Sequence, residues 1–110
     1  MARAINPGKL KNRITFLSPP SGRNRFGELS DEWTPGRTEW ASKEPLIGRE
    51  LFAAMTAGTV VEVKFRLRYI PGVRPGMRIR HDGEEYEIIS PVDVEAAHVE
   101  LVCYCKAVEP

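Results

Sequence analysis

Metal binding or thiolate chemistry in this chain would begin at its only thiols, Cys103 and Cys105, and its only imidazoles, His81 and His98. A Cys-Tyr-Cys run on a strand puts both sulfurs on one face, about 6.8 Å apart along the strand axis. That pattern suits two small buried hydrophobes. A zinc site would need two further ligands, and the spacing to the histidines matches no usual zinc pattern. A nucleophilic cysteine needs a basic neighbour and exposure, and the sequence supplies neither. His81 flanks a tight turn opposite Glu84, where a surface ion pair is expected. No Gly-rich phosphate loop follows a strand, and Gly-x-Ser-x-Gly, His-Glu-x-x-His and Cys-x-x-Cys are absent. No catalytic, metal-binding or cofactor-binding residue is assigned, and neither enzyme activity nor a cofactor is expected.

Charged residues offer more. In VEVKFRLRY, residues 61–69, apolar and charged side chains alternate, so Lys64, Arg66 and Arg68 share one face with Glu62. Such a row could be a solvated outer face, a seam for another subunit, or a stripe tracking phosphates at about 7 Å spacing. The whole chain holds 16 basic and 15 acidic residues. It is therefore not a polyelectrolyte partner for nucleic acid, and any such contact must be local. Arg23-Asn24-Arg25-Phe26 sets an aromatic beside two cations in a stretch rich in Pro, Gly and Ser. It reads either as a solvated loop tip or as a contact to nucleic acid or a partner ring.

The elements that must position these residues are mostly strands. Ile14 and Phe16 alternate with Arg13 and Thr15 in a first strand. Residues 18–30 form a long excursion, and a second extended stretch follows around residues 29–33. Pro35-Gly36 signals a turn, after which a strand runs over residues 38–43. GRELFAAMTAG predicts the one helix: Leu51 and Met55 lie four apart, Phe52 and Ala54 widen the apolar stripe, and Gly58 suits the C-cap. About three turns are unstable alone, so the helix is expected to dock on the sheet. On the next strand Val61, Val63, Phe65, Leu67 and Tyr69 should be buried together.

Asp82-Gly83 is a type I′ hairpin signal. It sets His81 opposite Glu84, Arg80 opposite Glu85, Ile79 opposite Tyr86, Arg78 opposite Glu87 and Met77 opposite Ile88. Arg78 and Arg80 each gain a cross-strand carboxylate. The last strand places Val99, Leu101, Cys103 and Cys105 on one face. This pattern predicts a mostly β fold: a small antiparallel barrel or sandwich of about six strands, with one short helix and a long inter-strand loop.

A chain of 110 residues fits one domain, here 1–110, with residues 1–9 a flexible N-terminal segment. Apolar residues make up 42% and charged residues 28%, an ordinary globular balance. The basic N-terminus has no apolar run behind it, so no signal peptide is expected. No apolar stretch approaches the ~20 residues a spanning helix needs, so no membrane partner is expected.

NPGKLKNRITF, EPLIGRELFAA and VKFRLRYIPGVRPGMRIRHDGEEYEI, with the closing strand, follow one another across residues 6–107 in an order that resembles the phage head–tail joining family, also called head-closure or head–tail connector proteins. Gly48-Arg49-Glu50-Leu51 at the helix start and Arg68-Tyr69-Ile70-Pro71-Gly72 carry the resemblance best. It implies a structural protein of a bacteriophage, prophage or phage-like particle, assembled in the bacterial cytoplasm and placed in the virion neck. The implied partners are other copies of itself in a dodecameric ring (or none, as a monomer when alone), the portal and adaptor above, a tail-completion or tail protein below, and packaged double-stranded DNA in the channel.

By position, Arg23, Asn24, Arg25 and Phe26 are candidates for a channel-facing loop. Glu62, Lys64, Arg66 and Arg68, with Glu84, Glu85 and Glu87 on a complementary face, are candidates for the subunit interface. A tail-completion protein of the same neck is an alternative. A small β-barrel module for single-stranded nucleic acid, stacking bases on Phe26 or Tyr104, is another.

Overall fold

The computed structural model describes residues 7–20, 27 and 31–109. Six strands, β1 (Asn12–Ser18), β2 (Thr34–Pro45), β3 (Val63–Arg68), β4 (Arg78–His81), β5 (Glu84–Asp93) and β6 (Glu100–Ala107), are joined by one helix, α1 (Arg49–Thr56), between β2 and β3. The strands pair antiparallel in the order β1-β2-β3-β6-β5-β4, and β4 returns to β1 to close a barrel. The expected mostly β architecture is thus a barrel rather than a sandwich. Arg23, Asn24, Arg25 and Phe26 of the expected long loop lie outside the described residues, as do residues 29 and 30 of the extended stretch expected over 29–33 and residues 1–6 of the expected N-terminal segment. Among the described residues, no helix is long and apolar enough to cross a membrane.

Alternation builds the core. Ile14, Phe65, Leu67, Ile79 and Ile88 point inward and are fully buried, joined by Cys103 and Cys105. Phe65 meets Tyr86 edge to face at 5.3 Å across the interior. The thiols behave as the small core hydrophobes the strand pattern predicts: burial pushes the Cys103 thiol up to about 12 and Cys105 higher still. Among the described residues, no metal-binding group of His, Cys, Asp or Glu gathers around them.

The β4–β5 hairpin has the expected register throughout, from His81 opposite Glu84 to Arg78 opposite Glu87. Asp82 and Gly83 both take positive φ, 52° and 81°, as a type I′ turn requires.

Four expectations need correction. Pro35-Gly36 does not break the second strand. β2 runs through it, and the register slips between Thr15 and Leu17, so that Gly36 and Arg37 together face Phe16. A β-bulge absorbs the extra residue. β3 is shorter than residues 61–69, and Val61 and Tyr69 flank it half-buried. Arg78 keeps its place opposite Glu87, but its guanidinium lies 4.0 Å over the Trp33 ring and reaches Glu85 instead, at 3.0 Å. His81 does not pair with Glu84. Closure of β4 onto β1 brings its Nδ1 within 3.2 Å of the Arg13 carbonyl, while Glu84 accepts a bond from the Tyr86 hydroxyl.

Candidate assembly surface

Lys64, Arg66 and Arg68 do share the outer face of β3, between β2 and β6. Their fates differ. Lys64 is only 7% exposed. Its Nζ donates to Glu50 of α1 at 2.5 Å and lies 3.9 Å from Glu44 of β2. Arg66 donates to Glu44 at 3.1 Å and also pairs with Glu100, the first residue of β6. Arg68 stands exposed opposite Glu100, with no ion pair among the described residues.

Each carboxylate answers to these cations. Partial burial alone would raise the Glu44 carboxyl, but hydrogen bonds from Ser42 and Arg66 and the charges of Arg66 and Lys64 outweigh it and hold it below its ordinary value. For Glu50 the Lys64 hydrogen bond dominates over partial burial, helped by the Tyr104 hydroxyl, and again the carboxyl is lowered. Burial, then the bond to Glu50, pushes the Tyr104 phenol up to about 12. Glu100 is 3% exposed, and its Oε2 finds no hydrogen-bond partner among the described residues. Its charge therefore rests on Arg66.

The helix gives the main surprise. None of its residues is buried, so the expected docking of an apolar stripe on the sheet does not occur. At 3.6 residues per turn, Glu50, Ala53 and Ala54 share one side and Leu51, Phe52 and Met55 the other. The first set lines a cavity of about 360 Å³ against Leu46 and Tyr104 of the barrel. Leu51, Phe52 and Met55 face away. The charged grip of Glu50 on Lys64 and Tyr104 turns the alanines inward and the larger apolar groups out. Gly58, at φ 73°, ends the helix: Gly58 N–H donates to the Met55 carbonyl and Thr59 N–H to that of Ala54, a Schellman pair.

Among the other candidate interface residues, Glu62 and Glu84 are exposed, Glu87 is half-buried, and Glu85 is shared between Arg78 and Arg80, at 3.0 and 3.3 Å. The structure thus gathers Lys64 and Arg66 into an intrachain cluster and leaves Arg68, Glu62 and Glu84 on the surface. Sequence reasoning missed Glu44, Glu50, Glu100 and Tyr104 as partners in that cluster. The helical wheel of residues 49–56 was the one signal available, since it sets Glu50 on the alanine side.

The sequence and the fold have counterparts. Head completion protein gp7 of Enterobacteria phage HK97 is 26% identical over 107 residues, covering 93% of this chain and 96% of that protein. The solution structure of protein SF1141 from Shigella flexneri 2a superposes with a TM-score of 0.72 at 27% identity, covering 94% of this chain and 96% of that one. The family model for phage head completion proteins matches residues 5–108. With the whole barrel inside that match, the chain belongs to the phage head completion protein family.

Proposed function

We propose that this chain is a ring-forming head-closure subunit of the virion neck. Copies of it sit below the portal and adaptor, help retain packaged double-stranded DNA and offer the tail its attachment surface. The observation that carries this reading is the family match over residues 5–108 of a barrel that keeps large apolar side chains outside. A closed barrel with its core already filled has no internal use for Ile47, Phe52 and Met55, and contiguous exposed apolar groups mark contact surfaces.

Within that role Arg68, Glu62 and Glu84 are the candidate interface residues with free charge to offer a neighbour, while Arg23, Asn24, Arg25 and Phe26 are the candidates for contact with DNA in the channel. Electron microscopy of a lysate from a producing strain lacking this gene tests the function. DNA-depleted heads beside finished, unattached tails are expected. Whole particles that still hold their DNA would refute the role. Deleting residues 24–27 should weaken DNA retention, and full infectivity would remove the loop from the account.

A further inference from the structure

We infer that α1 is the knob by which one copy of this chain grips the next, in a cleft beside the β4–β5 turn. The inference rests on the ring-forming role above and names the surfaces that carry it. A surface helix normally turns its large apolar side chains to its own core. Here alanines face the barrel, while Leu51, Phe52 and Met55 stand 42%, 72% and 71% exposed. Ile47 and Val60, before and after the helix, extend the patch at 68% and 62%. The outward pose is held by Glu50, which accepts from Lys64 of β3 and Tyr104 of β6. Arg49 stands exposed in the first turn without an ion pair among the described residues. The knob is apolar with one unspent cation.

Its complement is on the same chain. A cleft of about 600 Å³ lies between the β4–β5 turn and the end of β6, with Ala107 and Val108 as apolar lining, Glu84, Glu85 and Glu109 as acids and Arg78 as its one cation. Arg78 and Arg80 neutralise Glu85. Glu84 and Glu109 have no cation among the described residues. No residue of α1 lines this cleft, and α1 borders a separate cavity with Leu46 and Tyr104. An apolar knob with a free arginine and a mixed cleft that offers Ala107 and Val108 beside two unpaired carboxylates complement each other, which selects a second copy as the occupant. Because the two surfaces differ, the contact is heterologous and repeats from copy to copy until rotation closes it.

Cysteine pairing tests this in particles from a producing strain whose own gene is deleted and replaced by the variant. The native thiols are fully buried and stay silent. Met55→Cys with Val108→Cys should, after oxidation, give a ladder of multimers made of this chain alone, and either substitution by itself should give none. Absence of a ladder while both new thiols react with a maleimide in assembled particles would overturn the assignment, as would a cross-link to a different neck protein. Arg49→Glu should cut incorporation about tenfold, and Glu84→Arg with Glu109→Arg should restore it. All three residues are exposed, so folding, checked by circular dichroism, is unchanged. Normal incorporation of the Arg49 variant, or no rescue, would refute the pairing. Whole particles from the deletion strain would defeat the neck role itself. Failure of the deletion strain with full complementation by Phe52→Asp would defeat only the knob.

Discussion

β3 and α1 touch through one carboxylate, Glu50, and use their outer faces in opposite ways. On β3 two of the three cations are spent inside the chain: Lys64 and Arg66 pair with Glu44, Glu50 and Glu100, and only Arg68 is left over. On α1 the apolar groups are left unspent, with Phe52 and Met55 almost as open as they would be on a free helix. A row of cations is therefore a weaker sign of a docking surface than an amphipathic helix facing the wrong way. Whether a group has a partner in its own chain decides what it can offer another.

The sharpest way to break this contrast is to attack the β3 side. Arg66→Met strands Glu100 as a buried carboxylate, and a loss of about 3–5 kcal/mol is expected in urea unfolding. A loss under about 1 kcal/mol would mean that Glu100 relaxes to water and that the cluster is not structural. Arg66→Glu is for the same reason a poor probe of assembly, because it damages the barrel first. Arg68→Gln is the clean probe, because it removes the free charge without setting a second carboxylate opposite Glu100; unfolding changed by no more than about 0.5 kcal/mol and altered neck assembly are expected.

Lys64→Met comes next. It removes the strongest bond to Glu50 but leaves Tyr104 and, for Glu44, Arg66 in place, so about 1–3 kcal/mol is expected. The same variant sharpens the pH dependence. Glu44 and Glu50 titrate below their ordinary 4.5 in the fold. Their contribution is complete above that value and is lost as pH falls through the lowered values. Lys64→Met should flatten that acid loss in thermal melts, and an unchanged slope would show that Lys64 is not its source. On the alkaline side Tyr104 runs the other way. Its folded pKa rises from 10 to about 12, so its contribution is complete below pH 10 and lost between those values. Tyr104→Phe should remove that part of the alkaline loss.

The smallest effect on folding is expected on α1. Phe52→Ser should change the stability of the isolated chain by no more than about 0.5 kcal/mol, since the ring covers nothing of its own barrel. A cost of 2 kcal/mol, roughly that of a buried side chain, would show that the helix packs inward after all.

What could be foreseen from the sequence follows the range of the interactions. The β4–β5 register was legible because Asp82-Gly83 dictates a turn and the pairs on either side agree with it. The buried faces of β3 and β6 were legible because a period of two needs no partner to be seen. The bulge in β2 was not, because Pro35-Gly36 signals a break as readily as a bulge until β1 lies alongside. The fate of the β3 cations was hidden for a similar reason: Glu100 lies 34 residues from Arg66 and meets it only once β6 is in place. The orientation of α1 was misjudged because its larger apolar groups outvoted one glutamate, whereas in the fold the bonds that glutamate accepts from a nearly buried lysine and from Tyr104 prevail.

Closure of β4 onto β1 bears on when this protein can assemble as well as on its shape. An open sheet offers backbone donors and acceptors that recruit any passing strand, and a subunit made in excess would polymerise at once. The pairing of the first strand with the fourth withdraws that invitation. Self-association is left to side chains alone, which are selective about geometry and weak one at a time. In the proposed ring, such a subunit would stay separate until a template raises its local concentration and fixes its angle.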